Sequence, residues 1–398
     1  MQDFPRRVAI VHDWLDKVGG AERVLHEMIV CFPDADLFAV VDMLSDGDRS
    51  IVLNKAVTTT FIQKLPGARK HFRHYLPLMP VAIEQMDLSK YDLVISSSWA
   101  VAKGVITGPD QLHIAYIHTP IRYAWDQQHT YLRLGHLDRG LKGALARLAL
   151  HWLRLWDLRT ANLVDVWLAN SSNVARRIRK TYGRQAEVLH PPVRIEDFTY
   201  TAKKKNYYIT CSRLVQYKRV DLLVDAFLNR PGSELVIAGD GPELSSLMAR
   251  ARQASNIRFL GRRTDGEVRE FLRHARAFVF AANEDFGIAP IEAQACGTPV
   301  IAFGRGGALE TVRGLGVQRP TGCFFDQQTP ASILEAIERF ENLAVPIEPG
   351  DCRANAFKFC SERFRERLHG IVRYNWMRFG QTTQSDTEPD SLARSVTL

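Results

Sequence analysis

The sequence predicts an α/β protein of two halves, each built on a parallel sheet with helices on both faces. Three observations lead to that class. Short apolar runs alternate with amphipathic helical stretches along most of the chain, as in sheets whose strands are buried on both sides. A strand, a glycine or basic loop and a helix follow one another twice, once near the N-terminus and once near the middle. Between the two occurrences, His190-Pro191-Pro192-Val193 stiffens the chain and stops regular structure, which places a domain boundary there.

The elements follow in order. Arg7-Val-Ala-Ile-Val-His12 reads as the first strand, and Gly19-Gly20 comes after it. The next helix carries Ala21, Val24, Leu25, Met28 and Ile29 at helical period. Leu37–Val41, Leu93–Ser96, His113–Ile117 and Val164–Ala169 read as further strands of the first half. Tyr207–Cys211 opens the second half, followed by the basic loop Arg213–Arg219 and a helix bearing Leu222, Leu223, Ala226 and Phe227. Glu234–Ala238 ends in Gly239-Asp-Gly-Pro242, and Ile257–Leu260, Ala277–Ala281 and Thr298–Ala302 complete the strands. A helix with Val268, Phe271, Leu272 and Ala275 lies among them. Phe357, Phe359, Phe364, Leu368, Ile371 and Trp376 mark a C-terminal helical region. From residue 381 the chain is polar and lacks periodicity, so residues 381–398 are expected to form a disordered tail.

Composition narrows the function classes. Of the 398 residues, 46% are hydrophobic and 24% charged, ordinary for a globular protein and excluding a disordered or fibrous chain. No uncharged stretch approaches the ~20 residues a membrane-spanning helix needs. The N-terminal MQDFPRRVAIVHDW has no apolar signal region, so a cytoplasmic setting is expected. Six scattered cysteines without C-x-x-C spacing argue the same way, and against a zinc site. Lys plus Arg number 52 against 44 Asp plus Glu, a net charge of +8 that points to an anionic partner. No nucleic acid is expected, since no aromatic-plus-basic strand motif or recognition helix is present.

Chemistry concentrates in a few segments. Glu284-Asp-Phe-Gly-Ile-Ala-Pro-Ile-Glu292 follows a buried strand. Pro290 suits a first helical turn, so Pro290–Cys296 is expected to be helical, with Glu284 on the loop and Glu292 in the first turn. The N–H groups of such a terminus favour a phosphate, and carboxylates beside it suit the hydroxyls of sugar rings. The plain alternative is that Glu292 offsets the helix dipole. Arg213 and Lys218 follow a strand and precede a helix, where cations meet a diphosphate; a basic surface loop is the alternative. Gly19-Gly20 and Gly304-Arg-Gly-Gly307 let a backbone approach a ligand closely, each a weak signal alone.

Together these pieces resemble glycosyltransferase family 4. The E-x7-E pair stands as Glu284 and Glu292, the donor-half Arg and Lys as Arg213 and Lys218, and Gly19-Gly-Ala-Glu-Arg23 matches the loop that closes on the donor. Ala238-Gly-Asp-Gly-Pro-Glu243 and Phe259-Leu-Gly261 fit as well. Tyr75-Leu-Pro-Leu-Met-Pro80, Ser96-Ser-Ser98, Ala100-Val-Ala-Lys-Gly104 and His118-Thr-Pro-Ile-Arg-Tyr-Ala-Trp125 look like bacterial O-antigen and exopolysaccharide mannosyltransferases. The resemblance implies a GT-B fold, two Rossmann-like domains facing a central cleft. The first, residues 1–190, would bind the acceptor, and the second, 191–360, the nucleotide-sugar donor. A helix over 361–380 would cross back to the first. It further implies catalytic roles for Glu284, Arg213, Lys218 and His118. Gly19, Gly20, Phe286, Gly287, Ile288 and Glu292 would bind the donor. Arg213 and Lys218 would hold the diphosphate, Glu292 the ribose and Glu284 the transferred sugar.

The implied reaction is retaining transfer of a sugar, with mannose from GDP-mannose favoured, in bacterial surface polysaccharide or lipopolysaccharide synthesis. The acceptor would be a glycan or a polyprenyl-diphosphate-linked sugar. A UDP-sugar transferase or epimerase of the same fold, and a non-catalytic nucleotide-sugar binder, are the alternatives. No metal or other cofactor is expected. Asp34-Ala-Asp36 and Asp46-Gly-Asp48 have D-x-D spacing but read better as turns. Leu141, Leu145, Leu148, Trp152 and Leu155 share one face of a basic helix over Arg139–Arg159. That face either packs on its own domain or makes a peripheral contact with an anionic membrane, the inner face of the plasma membrane in this setting.

Overall fold

The structure, a computed structural model, describes residues 4–385. It divides into two compact units. The first runs to Asn170, resumes over Val174–Leu189 and regains the chain from Phe364. The second comprises Ser171–Asn173 and His190–Arg363.

In the first unit, β1 (Val8–His12), β2 (Asp36–Ala39), β3 (Val57–Thr59), β4 (Leu93–Ser98), β5 (Leu112–Ile117), β6 (Val166–Ala169) and β7 (Glu187–Val188) form one seven-stranded sheet. Its order is β3-β2-β1-β4-β5-β6-β7 and every pairing is parallel. All of β1 is buried. Val8 and Ile10 enter the core on one face, Ala9 and Val11 the core on the other, as the two-residue period of a doubly covered strand requires. The second unit holds β8 (Tyr207–Cys211), β9 (Glu234–Ala238), β10 (Ile257–Gly261), β11 (Ala277–Phe280), β12 (Val300–Phe303) and β13 (Gly322–Phe325). They form a six-stranded parallel sheet, ordered β10-β9-β8-β11-β12-β13. The strands β3, β7 and β13 were not expected from the sequence. All three are short sheet-edge strands, and β3 and β7 lack the continuous apolar run that betrays a central strand.

Each sheet reverses its strand order once, between β1 and β4 and between β8 and β11. In open parallel sheets ligands bind beyond the carboxyl ends of the strands at such a reversal. In the first unit those ends carry His12 and Ser97; in the second they lead to Arg213 and Glu284.

Two differences from the sequence reading concern boundaries. Ser171–Asn173 group with the second unit because Glu310 accepts the backbone N–H of Ser172 and Asn173, and the Asn173 amide donates to Asp285. The C-terminal helix spans Ser361–Ser385, so residues 381–385 are helical where a tail was expected; the rest of that stretch lies outside the described residues. The C-terminal apolar residues divide between the two cores. Phe359 stays in the core of the second unit, whereas Phe364, Leu368 and Ile371, joined by Val372, enter the core of the first. Of the two readings of the leucine stripe, the structure shows exposure: the helix Gly140–Thr160 is anchored through Leu153 and Trp156, and the stripe itself faces solvent.

Candidate active site

In the second unit the loop after β8 carries Arg213, exposed, and ends in a short 3-10 turn, Gln216–Lys218. Its path is set by the glycine turn after β9. Gly239 has φ +136, a Cβ there would overlap the Ser212 carbonyl oxygen, and the Leu214 N–H donates to the Asp240 carbonyl at 2.9 Å. The loop after β11 carries Glu284. Its carboxylate accepts a charge-assisted hydrogen bond from Lys218 Nζ, which joins the two loops at the β8/β11 reversal. Burial pushes the Lys218 ammonium down, to about 8, while the carboxylate beside it favours the charged form.

The Glu284 loop is rigidly held. The Phe286 ring is buried, stacked on His190 at 5.3 Å and edge-on to Phe359 at 5.6 Å. His190 Nε2 in turn lies 3.0 Å from Glu310 Oε2. Burial raises the Glu310 carboxyl, but His190 and the two backbone N–H groups outweigh it and hold the group below its usual range. The Gly307 N–H donates to the Glu284 carbonyl at 2.8 Å, and a Cβ at Gly307 would collide with the Phe286 backbone. Both glycine turns, weak signals in the sequence, are therefore braces for the loops that carry the charged residues.

The helix beyond Phe286 differs from expectation. It spans Ile288–Ala295, with Gly287 as its N-cap at φ +88, so it starts ahead of Pro290 and leaves Glu292, half-buried, in the second turn rather than the first. Glycine accepts that left-handed cap at no steric cost, which moves the start upstream. Phe286, Gly287 and Ile288 thus form the helix terminus beside Glu284.

His118, Gly19 and Gly20 belong to the first unit. Gly20 opens the helix Gly20–Cys31 and Gly19 caps it. His118 follows β5 and its Nε2 lies 2.8 Å from Ser97 Oγ. The same hydroxyl is 3.0 Å from His12 Nδ1, and His12 Nε2 faces Glu22 Oε1 at 3.8 Å. A Cβ on Gly19 would approach Glu22 Oε2 to 2.9 Å, so the contacts run from the glycine turn to His118. Trp99 stands edge-on to both rings, 4.9 Å from His12 and 5.6 Å from His118. Burial, then the neighbouring His12, lowers the His118 pKa to about 3. Beneath them Asp13 accepts the N–H groups of Trp99, Ala100, Val101 and Ala102 and fixes the turn after β4. Sequence reading missed His12, Glu22 and Ser97 as partners of His118. The available signal was polar side chains at the carboxyl ends of two buried strands.

One aspartate of each D-x-D pair has a local partner. Asp36 accepts the Tyr91 hydroxyl at 2.5 Å and Asp48 the Ser45 hydroxyl at 2.7 Å. Among the described residues, no group of three or more His, Cys, Asp or Glu is placed to hold a metal.

The family model "Glycosyltransferase Family 4" matches residues 18–197, and "Glycosyl transferases group 1" matches 194–359. A GDP-mannose-dependent monoacylated α-(1-6)-phosphatidylinositol monomannoside mannosyltransferase of Corynebacterium glutamicum is 35% identical over 178 residues, 37% of this chain and 47% of that protein. The chain spans about half the length of the curated relatives it matches. Among solved structures, sucrose-phosphate synthase of Thermosynechococcus elongatus superposes with a TM-score of 0.70 at 16% identity, covering 94% of this chain and 100% of that one. Anabaena HepE in complex with UDP gives 0.68 at 17%, covering 92% and 99%. These neighbours show the GT-B fold. With two adjoining family models running from residue 18 to 359, one over each half, the chain belongs to glycosyltransferase family 4.

Proposed function

We propose that the protein transfers mannose from GDP-mannose, with retention of configuration, to a lipid-linked or oligosaccharide acceptor in bacterial surface polysaccharide synthesis. The observation that carries the proposal is the Lys218–Glu284 pair at the β8/β11 reversal, with Arg213 on the adjoining loop and a helix N-terminus next to it. Charge develops on the leaving diphosphate as the bond to C1 breaks. Arg213, Lys218 and the N–H groups at Gly287 and Ile288 are fixed donors for that charge. In this reading a donor phosphate oxygen takes the acceptor proton while the new C1–O bond forms on the same face. Glu284 and the backbone at Phe286 hold the sugar and Glu292 the ribose hydroxyls; the family resemblance assigns His118 a place near the transferred sugar. Gly19 and Gly20 admit a close backbone approach to the donor. The choice of mannose rests on the Corynebacterium relative, whose name specifies GDP-mannose.

No step requires a metal, because the cations and the helix terminus meet the leaving-group charge. The test is a donor panel of GDP-mannose, UDP-glucose and UDP-galactose with and without EDTA, monitored for nucleotide release. GDP released from GDP-mannose only when acceptor is present, and undiminished by chelation, is the expected result. Preference for a UDP-sugar would overturn the donor, and activity lost in EDTA and restored by one divalent ion would overturn the metal-free reading.

A further inference from the structure

The helix Gly140–Thr160 carries more apolar surface than its unit uses. Leu141, Leu145, Leu148, Trp152 and Leu155 recur at alternating spacings of four and three, one stripe of a helix. The stripe faces solvent: Leu141 is 79% exposed, Leu148 64%, Leu145 58% and Leu155 57%. Other side chains hold the helix in place. Leu153 and Trp156 are buried, Trp156 Nε1 donates to Glu84 at 2.7 Å, and the buried Asp157 pairs with Lys103 at 2.8 Å. The stripe therefore adds nothing to the core of the first unit.

Its charge setting is one-sided. Arg139, Lys142 and Arg147 are exposed at the start of the helix, and the only carboxylate from 139 to 160 is the buried Asp157. Cations at a helix N-terminus are disfavoured by the dipole; Asp138, just ahead of the helix, lies 3.7 Å from Arg139 and its carbonyl accepts from Arg147, while the first turn itself holds no acid for Lys142. Local stability does not ask for this arrangement; an external anion does.

We infer that this helix docks along an anionic lipid bilayer, its stripe in the boundary between headgroups and acyl chains and its cations at the lipid phosphates. No helix among the described residues is long and apolar enough to cross a membrane, so the contact is one of lying on the surface. A second copy of the chain is the weaker occupant. It would bring the same cations and no exposed carboxylate from this helix to meet them, and the stripe is shorter than the roughly three to four heptads that sustain a coiled coil. The inference does not depend on the sugar or donor proposed above.

The test is co-sedimentation of the full chain with phosphatidylcholine vesicles, and with vesicles of phosphatidylcholine and phosphatidylglycerol, without sugar donor. Binding to the anionic vesicles that weakens with salt is expected. Lys142→Glu with Arg147→Glu should reduce the partition at least roughly 25-fold, and Leu145→Ser with Leu148→Ser at least about tenfold. Both pairs are exposed, so circular dichroism should show an unchanged fold, and transfer to a soluble acceptor without vesicles should stay normal. Absence of binding to anionic vesicles, or equal binding by folded variants, overturns the inference. So does a dimer in sedimentation equilibrium that Leu145→Ser with Leu148→Ser dissociates. Failure of all sugar donors with vesicle binding intact would instead count against the transferase reading alone.

Discussion

Ser97 Oγ lies 2.8 Å from His118 Nε2. A hydroxyl has one proton, and this one also faces His12 Nδ1 at 3.0 Å, so at most one ring can accept from it and the other must donate. The negative charge of Glu22, 3.8 Å from His12 Nε2, favours the neutral tautomer that carries its proton on that nitrogen. His12 Nδ1 then accepts from Ser97, and Ser97 accepts from His118 Nε2–H. That leaves His118 Nδ1 as an unprotonated acceptor on a ring that burial keeps neutral. Ser97→Ala removes the relay but not the ring. The expected outcome is a loss of about five- to tenfold in kcat/KM, from a neutral hydrogen bond of ~1 kcal/mol. A Ser97→Thr variant should recover most of it. Steady-state kinetics on the three proteins decides the matter, and equal losses for Ala and Thr would contradict the relay.

His113 gives the first unit a defined acid sensitivity. It is fully buried, with Nδ1 2.9 Å from the Leu163 carbonyl and Nε2 2.8 Å from Ser96 Oγ. Burial lowers its pKa from 6.5 to about 4, with the Leu163 carbonyl opposing and the Lys103 charge assisting. The unfolded chain therefore takes up the proton first as pH falls. Stability is unaffected above pH 6.5, declines below it, and levels off near pH 4, a loss of about 3 kcal/mol from this group. Thermal melts from pH 7 to 4 should show a smaller decline in His113→Asn than in the wild-type chain, whatever the variant's stability at pH 7.

Ending the chain at Arg363 should abolish soluble folding. Phe364, Leu368, Ile371 and Val372 sit in one core with Ile10, Leu25 and Met28. Each large buried side chain is worth about 1.5–3 kcal/mol, so losing four rivals the whole stability of a domain. Ending the chain after Ser385 removes none of them and should leave the melting temperature and activity unchanged. Soluble, active protein ending at Arg363 would show that this helix is dispensable.

Arg213→Ala and Lys218→Ala should each lower turnover by about 30- to 1,000-fold, the ~2–4 kcal/mol of a charge-assisted contact made in the transition state. The fold should survive, since Arg213 is exposed and Lys218 lies on a short turn at the surface of the second core. Lys218 also sets a pH limit. Its proton is lost as pH rises through about 8, so activity should fall on the alkaline side in the wild-type chain. Lys218→Arg, always charged, should extend the plateau upward. A pH–rate profile identical in the two proteins would remove Lys218 from the site.

Both sheets, the sequence of strands β8 to β12 and the E-x7-E segment were legible in the chain, because a doubly covered parallel strand must be an unbroken apolar run. The edge strands β3 and β7 were not, since they carry no such run. The helix start at Ile288 was misread because proline is a stronger visible signal than a left-handed glycine cap, although Gly287 decides the boundary. The roles of Gly239 and Gly307 were hidden for a different reason. Each is required by a backbone that lies far along the sequence, Ser212 for one and Phe286 for the other. The His12–Ser97–His118 relay depends likewise on three strand ends that only the sheet order brings side by side.

The two carboxylates of the E-x7-E segment should fail differently. Glu292, on the second turn of its helix, is assigned to the ribose; Glu284, on the loop, to the sugar. Glu→Gln keeps size, removes charge and turns one acceptor oxygen into a donor. A hydrogen bond to a charged group is worth about 1.5–3 kcal/mol, so roughly a 10- to 150-fold loss is expected wherever the contact is used. Glu292→Gln should weaken free GDP and GDP-mannose alike, because both carry the ribose. Glu284→Gln should lower transfer at saturating donor yet leave GDP affinity intact or improved. The reason is the ion pair: without donor, Glu284 holds Lys218 Nζ, and a diphosphate must draw that ammonium toward itself. Removing the Glu284 charge releases Lys218 for the nucleotide while removing the acceptor for the sugar hydroxyl. Calorimetry with GDP beside turnover with GDP-mannose separates the two variants. Weaker GDP binding with normal saturated transfer in Glu284→Gln would reverse the assigned roles, and no effect in either variant would leave the segment without a part in the chemistry.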